Sequence, residues 1–179
     1  MDKKINEYII IKESKIHHKG VFALKDIPKG TKIIEYIGEI ISKEEGTRRE
    51  KLSDELSRTD HTKAGTYIFE IDEEHDLDGD ITENHARYIN HSCNPNCESD
   101  IIDKKIWVIV TRDIKEDEEL SYDYGFAFDE ESFNYPCKCG AKNCVGYIVR
   151  QEDWLQLTEA IEKRQKIKPI NQFYRKSLC

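Results

Sequence analysis

Three cysteines near the end of the chain, Cys137, Cys139 and Cys144, follow a C-x-C-x4-C spacing. Closely spaced thiolates hold a soft divalent cation, and three is one fewer than a closed tetrahedral zinc site needs. Gly140 between them lets the backbone fold tightly around an ion. The competing reading, three small buried hydrophobes, is weak. Lys138, Lys142 and Asn143 are polar and give no core periodicity. The fourth thiol must come from Cys93, Cys97 or the terminal Cys179. Cys93 lies in the run Arg87-Tyr88-Ile89-Asn90-His91-Ser92-Cys93-Asn94-Pro95-Asn96-Cys97, beside an Asn-His pair. A third segment, Glu119-Leu120-Ser121-Tyr122-Asp123-Tyr124-Gly125-Phe126, is rich in aromatic side chains. A metal would tie the tail of the domain to a polar, aromatic site in its middle.

The elements that must position these residues are mostly short strands. Glu7 to Lys12 and Gly20 to Leu24 read as strands, with a turn at Ile27-Pro28-Lys29-Gly30. Lys32 to Ile41 reads as two short strands around Gly38. Ser42 with Glu45 makes a capping box, which predicts a helix over Lys43 to Ser57. That helix carries few apolar residues and reads as a solvated insert. Thr66 to Ile71 reads as a strand, Asp76 to Asp80 as a turn-rich stretch, Lys105 to Arg112 and Glu119 to Tyr122 as strands. From Gln151 the pattern turns helical, with Trp154, Leu157 and Ile161 on one face. The sum predicts a mostly-β α+β domain. A doubly wound nucleotide fold is disfavoured, because the one early glycine candidate, His17-His18-Lys19-Gly20-Val21-Phe22, leads into a strand rather than a helix.

The chain has 179 residues, enough for one domain with a hydrophobic core. Its net charge of −8 predicts no direct nucleic-acid binding and favours a basic protein partner. No apolar run approaches a membrane span or a secretory leader. The expected setting is therefore a reducing compartment, where six cysteines serve as metal ligands or free thiols.

Together the motifs resemble the SET-domain protein lysine methyltransferases with a post-SET zinc loop. The resemblance covers about residues 9 to 149, with the Gly20 loop, Asn-His-Ser-Cys, Tyr-Asp-Tyr and C-x-C-x4-C in the expected order. It implies a SET domain of short curved sheets with a pseudoknot, a small helical insert, a zinc-bound post-SET loop and a C-terminal helix. The implied division is an N-terminal tail (1–8), the SET domain (9–130, insert 43–65), the post-SET loop (131–149) and a helix with its tail (150–179). The resemblance names Cys93 as fourth ligand to a structural Zn2+ with Cys137, Cys139 and Cys144. It gives S-adenosylmethionine as cofactor, held by His17, Lys19, Gly20, Tyr67, Asn90, His91 and Lys138. His18 stands where the family usually has a second glycine. Phe126 or Tyr147 is left as the ring stacked near the adenine.

The implied chemistry is methyl transfer to the ε-amine of a lysine. The nucleophile must be neutral, and a free lysine is so in only roughly a few molecules per ten thousand at pH 7. A dry aromatic channel near a positive charge lowers that pKa and aligns the nitrogen. Tyr124 matches the family's catalytic tyrosine. Tyr122 matches the Phe/Tyr position, where a hydroxyl can hold water in the space that further methyl groups need. The expected product is mainly mono- or dimethyl-lysine. The substrate is a basic, lysine-containing protein segment, a histone or histone-like protein, laid extended against a strand edge. Asp72, Glu73, Glu74, Asp129, Glu130 and Glu131 are the acidic residues that could attract it. The alternative is an inactive zinc-stabilised module that only grips a basic peptide. The expected location is intracellular, nucleus or cytoplasm; a host-cell nucleus also fits if the source is a bacterium. No membrane partner is expected.

Overall fold

The computed structural model describes residues 2–59 and 67–167. The chain forms two compact units, Met1–Asn90 with Pro95–Tyr122, and His91–Asn94 with Asp123–Cys179. Among the described residues no helix is long and apolar enough to cross a membrane.

The first unit is built of short antiparallel strands. β1 (Lys3–Lys4), β2 (Ile9–Glu13) and β3 (Lys19–Ala23) open the chain, followed by β4 (Lys32–Tyr36), β5 (Glu39–Ser42) and helix α1 (Lys43–Thr59). β6 (Ile68–Glu70), β7 (His75–Asp78), β8 (Asn90–His91, of which His91 is assigned to the second unit), β9 (Cys97–Ile102), β10 (Lys105–Val110) and β11 (Glu119–Tyr122) follow. They pair as three sheets, in the orders β1-β2-β3-β11-β8, β4-β10-β9 and β5-β7-β6. Alternation explains the core. Ile9 and Ile11 of β2, Val21 and Ala23 of β3, Ile106, Val108 and Val110 of β10 and Leu120 of β11 are all buried. Each fully buried aliphatic chain stabilises the fold by about 1.5–3 kcal/mol.

Several boundaries differ from the sequence expectation, each for a local reason. The first long strand starts at Ile9 rather than Glu7, because the Asn6 carboxamide oxygen accepts from the N–H groups of Tyr8 and Ile9 and turns the chain there. The stretch read as turn-rich at Asp76 to Asp80 begins as β7, the centre of its sheet. Its aspartates face ion pairs: Lys43 Nζ lies 2.7 Å from Asp76, and Arg49 lies 2.6 Å from Asp78. The turn precedes it, where Asp72 Oδ1 accepts from the backbone of Glu74 and His75. β9 was not expected at all. Its sequence Cys-Glu-Ser-Asp-Ile-Ile is polar because it is a sheet edge, and its hairpin to β10 turns on Asp103 and Lys104, both at positive φ without a glycine. The strand expected from Thr66 is seen at Ile68–Glu70; Thr66 and the end of the insert lie outside the described residues.

Helix α1 begins as expected, with Ser42 Oγ accepting from Glu45 N at 3.3 Å. The Glu45 carboxylate is taken by Arg48 and Arg49, which hold its pKa down at about 2. Arg49 also reaches Glu39 of β5. Charge rather than an apolar stripe therefore seats this helix, and Leu52 and Leu56 remain 47% and 41% exposed.

The second unit has little regular structure besides α2 (Trp154–Ile167) and 3-10 turns at Glu130–Asn134 and Gln151–Asp153. Specific polar contacts hold it. Asp153 accepts from Phe128 N at 3.0 Å and from Arg150 Nε at 2.7 Å. Trp154 Nε1 donates to Val149 O, and Leu157 of α2 is fully buried. Arg164 of α2 lies 3.5 Å over the Phe133 ring, which packs edge-on against Phe128 and Tyr147.

Candidate active site and metal centre

In the first unit the hairpin between β2 and β3 carries the early basic motif. Ser14 N donates to His18 O, which closes the loop. His17, His18 and Lys19 are exposed, and Gly20 is buried. His18 has φ 33°, in the left-handed region that glycine favours. The backbone thus keeps a glycine-like conformation although the residue departs from the family's usual glycine. Asn90 is buried, with its side-chain nitrogen 2.7 Å from Glu119 Oε1, 3.0 Å from Lys19 O and 3.2 Å from Ser14 Oγ.

Tyr67 reaches the same neighbourhood through a chain of cations and rings. Lys19 Nζ sits over Tyr88, and Arg87 lies against both Tyr88 and, at 4.5 Å, Tyr67. Arg87 is fixed further by Asp80 and by the Ile81 carbonyl. Tyr122, the last residue of β11, is buried, with its ring 6.0 Å from Phe69, which in turn lies 4.5 Å from Tyr36. The strand stops there. Tyr124 lies past its end, beyond Asp123 and before Gly125 at φ 73°, so strand alternation does not govern the direction of the two tyrosines.

The second unit gathers the four thiols. The sulfurs of Cys93, Cys137, Cys139 and Cys144 all lie within 4.8 Å of one another. Cys93 Sγ is 3.8 Å from both Cys137 Sγ and Cys144 Sγ. A tetrahedral site with Zn–S bonds of about 2.3 Å has sulfur–sulfur edges of ~3.8 Å. A disulfide would need ~2.05 Å. The donor set and spacing therefore fit a closed four-thiolate zinc site. Gly140, at φ 70°, makes the turn between the second and third thiols of the loop. Asn143 Nδ2 donates to Cys93 O and fastens the loop to the Asn-His-Ser-Cys segment. Burial pushes the Cys93 thiol up to about 12 and raises that of Cys137 as well. Cys139 goes the other way: burial opposes its ionisation, but hydrogen bonds from the backbone of Ala141 and Cys93 outweigh it and bring it to about 7. Of the other candidates for fourth ligand, Cys97 is buried apart from the cluster in the first unit, with its thiol also pushed up to about 12 by burial. Cys179 lies outside the described residues.

His91 links this cluster to the aromatic segment. Its Nδ1 accepts from Tyr124 N at 3.3 Å, so the proton of the neutral ring belongs on Nε2, which lies 3.7 Å from Cys93 Sγ. Burial lowers the His91 pKa against the pull of Asp123, which keeps the ring neutral and able to accept. The Tyr124 ring packs 5.4 Å from His91 and 5.7 Å from Phe126. Lys138 is exposed between two thiols.

His17, Lys19, Gly20, Tyr67 and Asn90 are thus gathered in one unit with Tyr122, and His91, Tyr124, Lys138 and the four cysteines in the other. Sequence reasoning missed Ser14, which holds Asn90, and Asp153 and Arg164, which hold the segment after Tyr124; it placed Glu119 in the aromatic segment but gave it no part in holding Asn90. Single polar residues outside a motif give no signal of that kind. The acidic residues proposed as an attractive surface are partly committed elsewhere: Asp72 caps a turn, Asp129 caps a 3-10 turn with Ser132, and Glu130 pairs with Arg164.

Short antiparallel sheets and an Asn-His pair are those of a SET domain, and the four-thiol cluster is consistent with a post-SET metal loop. The family model for the SET domain matches residues 18–125, and the chain belongs to that family. Histone-lysine N-methyltransferase 2D of Homo sapiens is 44% identical over 140 residues, covering 76% of this chain and 2% of that protein. Histone-lysine N-methyltransferase trr of Drosophila melanogaster is 43% identical over 148 residues, 80% of this chain and 6% of its own. The H3 lysine-4 specific histone-lysine N-methyltransferase of Schizosaccharomyces pombe is 43% identical over 142 residues, 75% of this chain and 14% of its own. The chain therefore spans only a small fraction of the length of these relatives.

Proposed function

We propose that this chain is an S-adenosylmethionine-dependent protein-lysine N-methyltransferase whose substrate is a basic, lysine-containing segment, with the histone H3 tail the first to test. The observation that carries the reading is His91, which joins the backbone of Tyr124 to a sulfur of the metal cluster. Similarity to relatives named as histone-lysine methyltransferases, one of them as H3 lysine-4 specific, supports the substrate class.

In this reading S-adenosylmethionine supplies an electrophilic methyl group on a sulfonium. His17, Lys19, Gly20, Tyr67, Asn90, His91 and Lys138 hold the cofactor, Asn90 by its side-chain amide. Tyr124 orients the lysine nitrogen by its hydroxyl, within aromatic walls that exclude water and favour the neutral amine. The lysine ammonium loses its proton to water; the methyl group's bond to sulfur would break as its bond to nitrogen forms, leaving a neutral thioether. Tyr122 limits the space for further methyl groups, so mono- and dimethyl-lysine dominate. A groove of about 340 Å³ lined by Phe69, Glu70, Ser99, Asp100, Ile101 and Ile106 would seat the extended peptide. It offers a basic segment the Asp100 carboxylate and that of Glu70, which also pairs with Lys43 at 3.0 Å, and Phe69 leads to Tyr122. Cys93, Cys137, Cys139 and Cys144 bind a structural Zn2+, with no open position for chemistry. Residues 9–130 form the catalytic domain and 131–149 the zinc loop; 1–8 and 150–179 flank them. Unpaired thiols suit a reducing nuclear or cytoplasmic setting.

Mass spectrometry of core histones and an H3 tail peptide, incubated with S-adenosylmethionine, tests this. A mass gain on lysine that Tyr124→Phe loses is expected. Equal gain in the variant would remove Tyr124 from its role, and cofactor binding with no transfer to any basic substrate would favour the inactive peptide-binding module.

A further inference from the structure

Glu119, the first residue of the aromatic segment and given no role by the resemblance, places its carboxylate where two proposed cofactor segments meet. Glu119 Oε1 accepts from Ser14 Oγ at 2.7 Å and from Asn90 Nδ2 at 2.7 Å. Ser14 Oγ also accepts from Ile16 N at 2.9 Å, and Ser14 N donates to His18 O. Glu119 therefore fixes the basic hairpin loop through Ser14 and the buried Asn90 directly. The Asn90 amide nitrogen faces three acceptors, the Glu119 carboxylate, the Lys19 carbonyl and the Ser14 hydroxyl. An amide oxygen in that place would meet lone pairs at hydrogen-bond distance, so the amide has one allowed orientation. Its oxygen must point the other way, as an acceptor for an N–H or ammonium donor.

The same carboxylate accounts for Gly20. A Cβ built there would fall on Glu119 Oε1, with Ser14 Cβ 2.9 Å away. Gly20 is then needed so that Glu119 can lie against the strand, whatever a ligand also requires of it.

We propose that Glu119 is a positioning residue for cofactor binding: it locks the Asn90 amide with its oxygen turned to accept from the cofactor's ammonium, and ties Asn90 to the Ser14–His18 loop. This rests on the reading of Asn90 as a cofactor-binding residue.

The test is a calorimetric double-mutant cycle. Kd for S-adenosylmethionine is measured for the wild type, Glu119→Ala, Glu119→Gln, Asn90→Ala and the double variant Asn90→Ala/Glu119→Ala. If Glu119 acts through Asn90, Glu119→Ala weakens binding about 10-fold, the loss of one well-placed charged hydrogen bond. Glu119→Gln, whose amide oxygen can still accept from Ser14 and Asn90, stays within about 3-fold of wild type. The double variant is then about as weak as Asn90→Ala alone. Additive losses in the double variant, or an unchanged Kd in Glu119→Ala, overturn the proposal while leaving the methyltransferase reading intact. Absence of binding by the wild type overturns both. Ser14→Ala, a milder cut in the same network, carries the test if Glu119→Ala does not fold. It should weaken binding about 3-fold, and an unchanged Kd overturns the proposal.

Discussion

Removing the metal from the four-thiol cluster should melt the loop from Cys137 to Cys144 and leave the β-sheets of the first unit folded. Ordering a residue costs about 1–2 kcal/mol of backbone entropy, so this eight-residue segment costs about 8–16 kcal/mol to fix. Its own polar contacts are few. Cys137 N donates to Gly146 O, Cys144 N to Ala141 O, Asn143 Nδ2 to Cys93 O and Gly146 N to Cys144 Sγ. At about 1 kcal/mol each these return about 4 kcal/mol. The shortfall is about 4–12 kcal/mol, the scale of a structural zinc site at neutral pH, about 10–16 kcal/mol. Without a cation the buried thiol of Cys93 and the half-buried thiol of Cys137, both pushed well above neutrality, take up their protons and the sulfurs cease to bridge. Hydrogen exchange with and without phenanthroline reads this directly. The amides of Cys137 and Cys144 should lose at least about a thousandfold protection, which is about 4 kcal/mol at 1.4 per tenfold. Those of Val21 and Val108, in buried strands, should not change. The reasoning fails if Cys137 and Cys144 stay protected after the metal is gone.

The other predictions use the same distances. Tyr122→Phe removes the hydroxyl proposed to hold water beside the target amine, so the product should shift toward trimethyl-lysine by mass spectrometry; an unchanged distribution counts against that role. Arg49→Ala leaves Asp78 buried beside Glu39 without its guanidinium, and should cost about 1–3 kcal/mol by urea unfolding after discounting for partial exposure. A loss below about 0.5 kcal/mol would show that α1 is seated otherwise. Asp153 has its pKa lowered, first by the Phe128 N–H and then by Arg150. Its contribution is therefore complete above the unfolded carboxyl value of about 3.9 and is lost as pH falls through the lower folded value. Phe128 amide exchange, corrected for intrinsic rate, should accelerate there in the wild type and lack that step in Asp153→Asn; identical profiles would refute the link.

Much of this was legible where chemistry is repetitive. The thiol spacing, the Asn-His-Ser-Cys run and the alternating Ile-Trp-Val-Ile-Val of β10 each use several residues to say one thing. The sequence was least legible where a single charge decides the structure. Asp76 and Asp78 look like turn residues until Lys43 and Arg49, more than twenty residues earlier, are placed against them. β9 hides because an edge strand has only one face to bury, and because Asp103 and Lys104 make their turn without the Asn-Gly that marks such hairpins. Spacing left three candidates for the fourth thiol; the family resemblance named Cys93, and the three-dimensional placement agrees, gathering Cys93 with the other three sulfurs.

Asn90 and His91 are neighbours in the chain, yet each is committed to a different unit and by a different logic. The Asn90 nitrogen is saturated by three acceptors, so its orientation is set by a carboxylate. The His91 ring is set by one backbone donor on Nδ1 and a sulfur near Nε2, so its tautomer depends on the state of the thiol cluster. It follows that His91→Asn should loosen Tyr124 and be sensitive to metal, whereas Asn90→Asp should repel Glu119 and be insensitive to it. Exchange of the Tyr124 amide distinguishes them. It should rise in His91→Asn and on chelation of the wild type, and stay at the wild-type rate in Asn90→Asp. Protection of Tyr124 that survives both the His91 change and metal removal would mean that the Asn-His pair does not divide its work in this way.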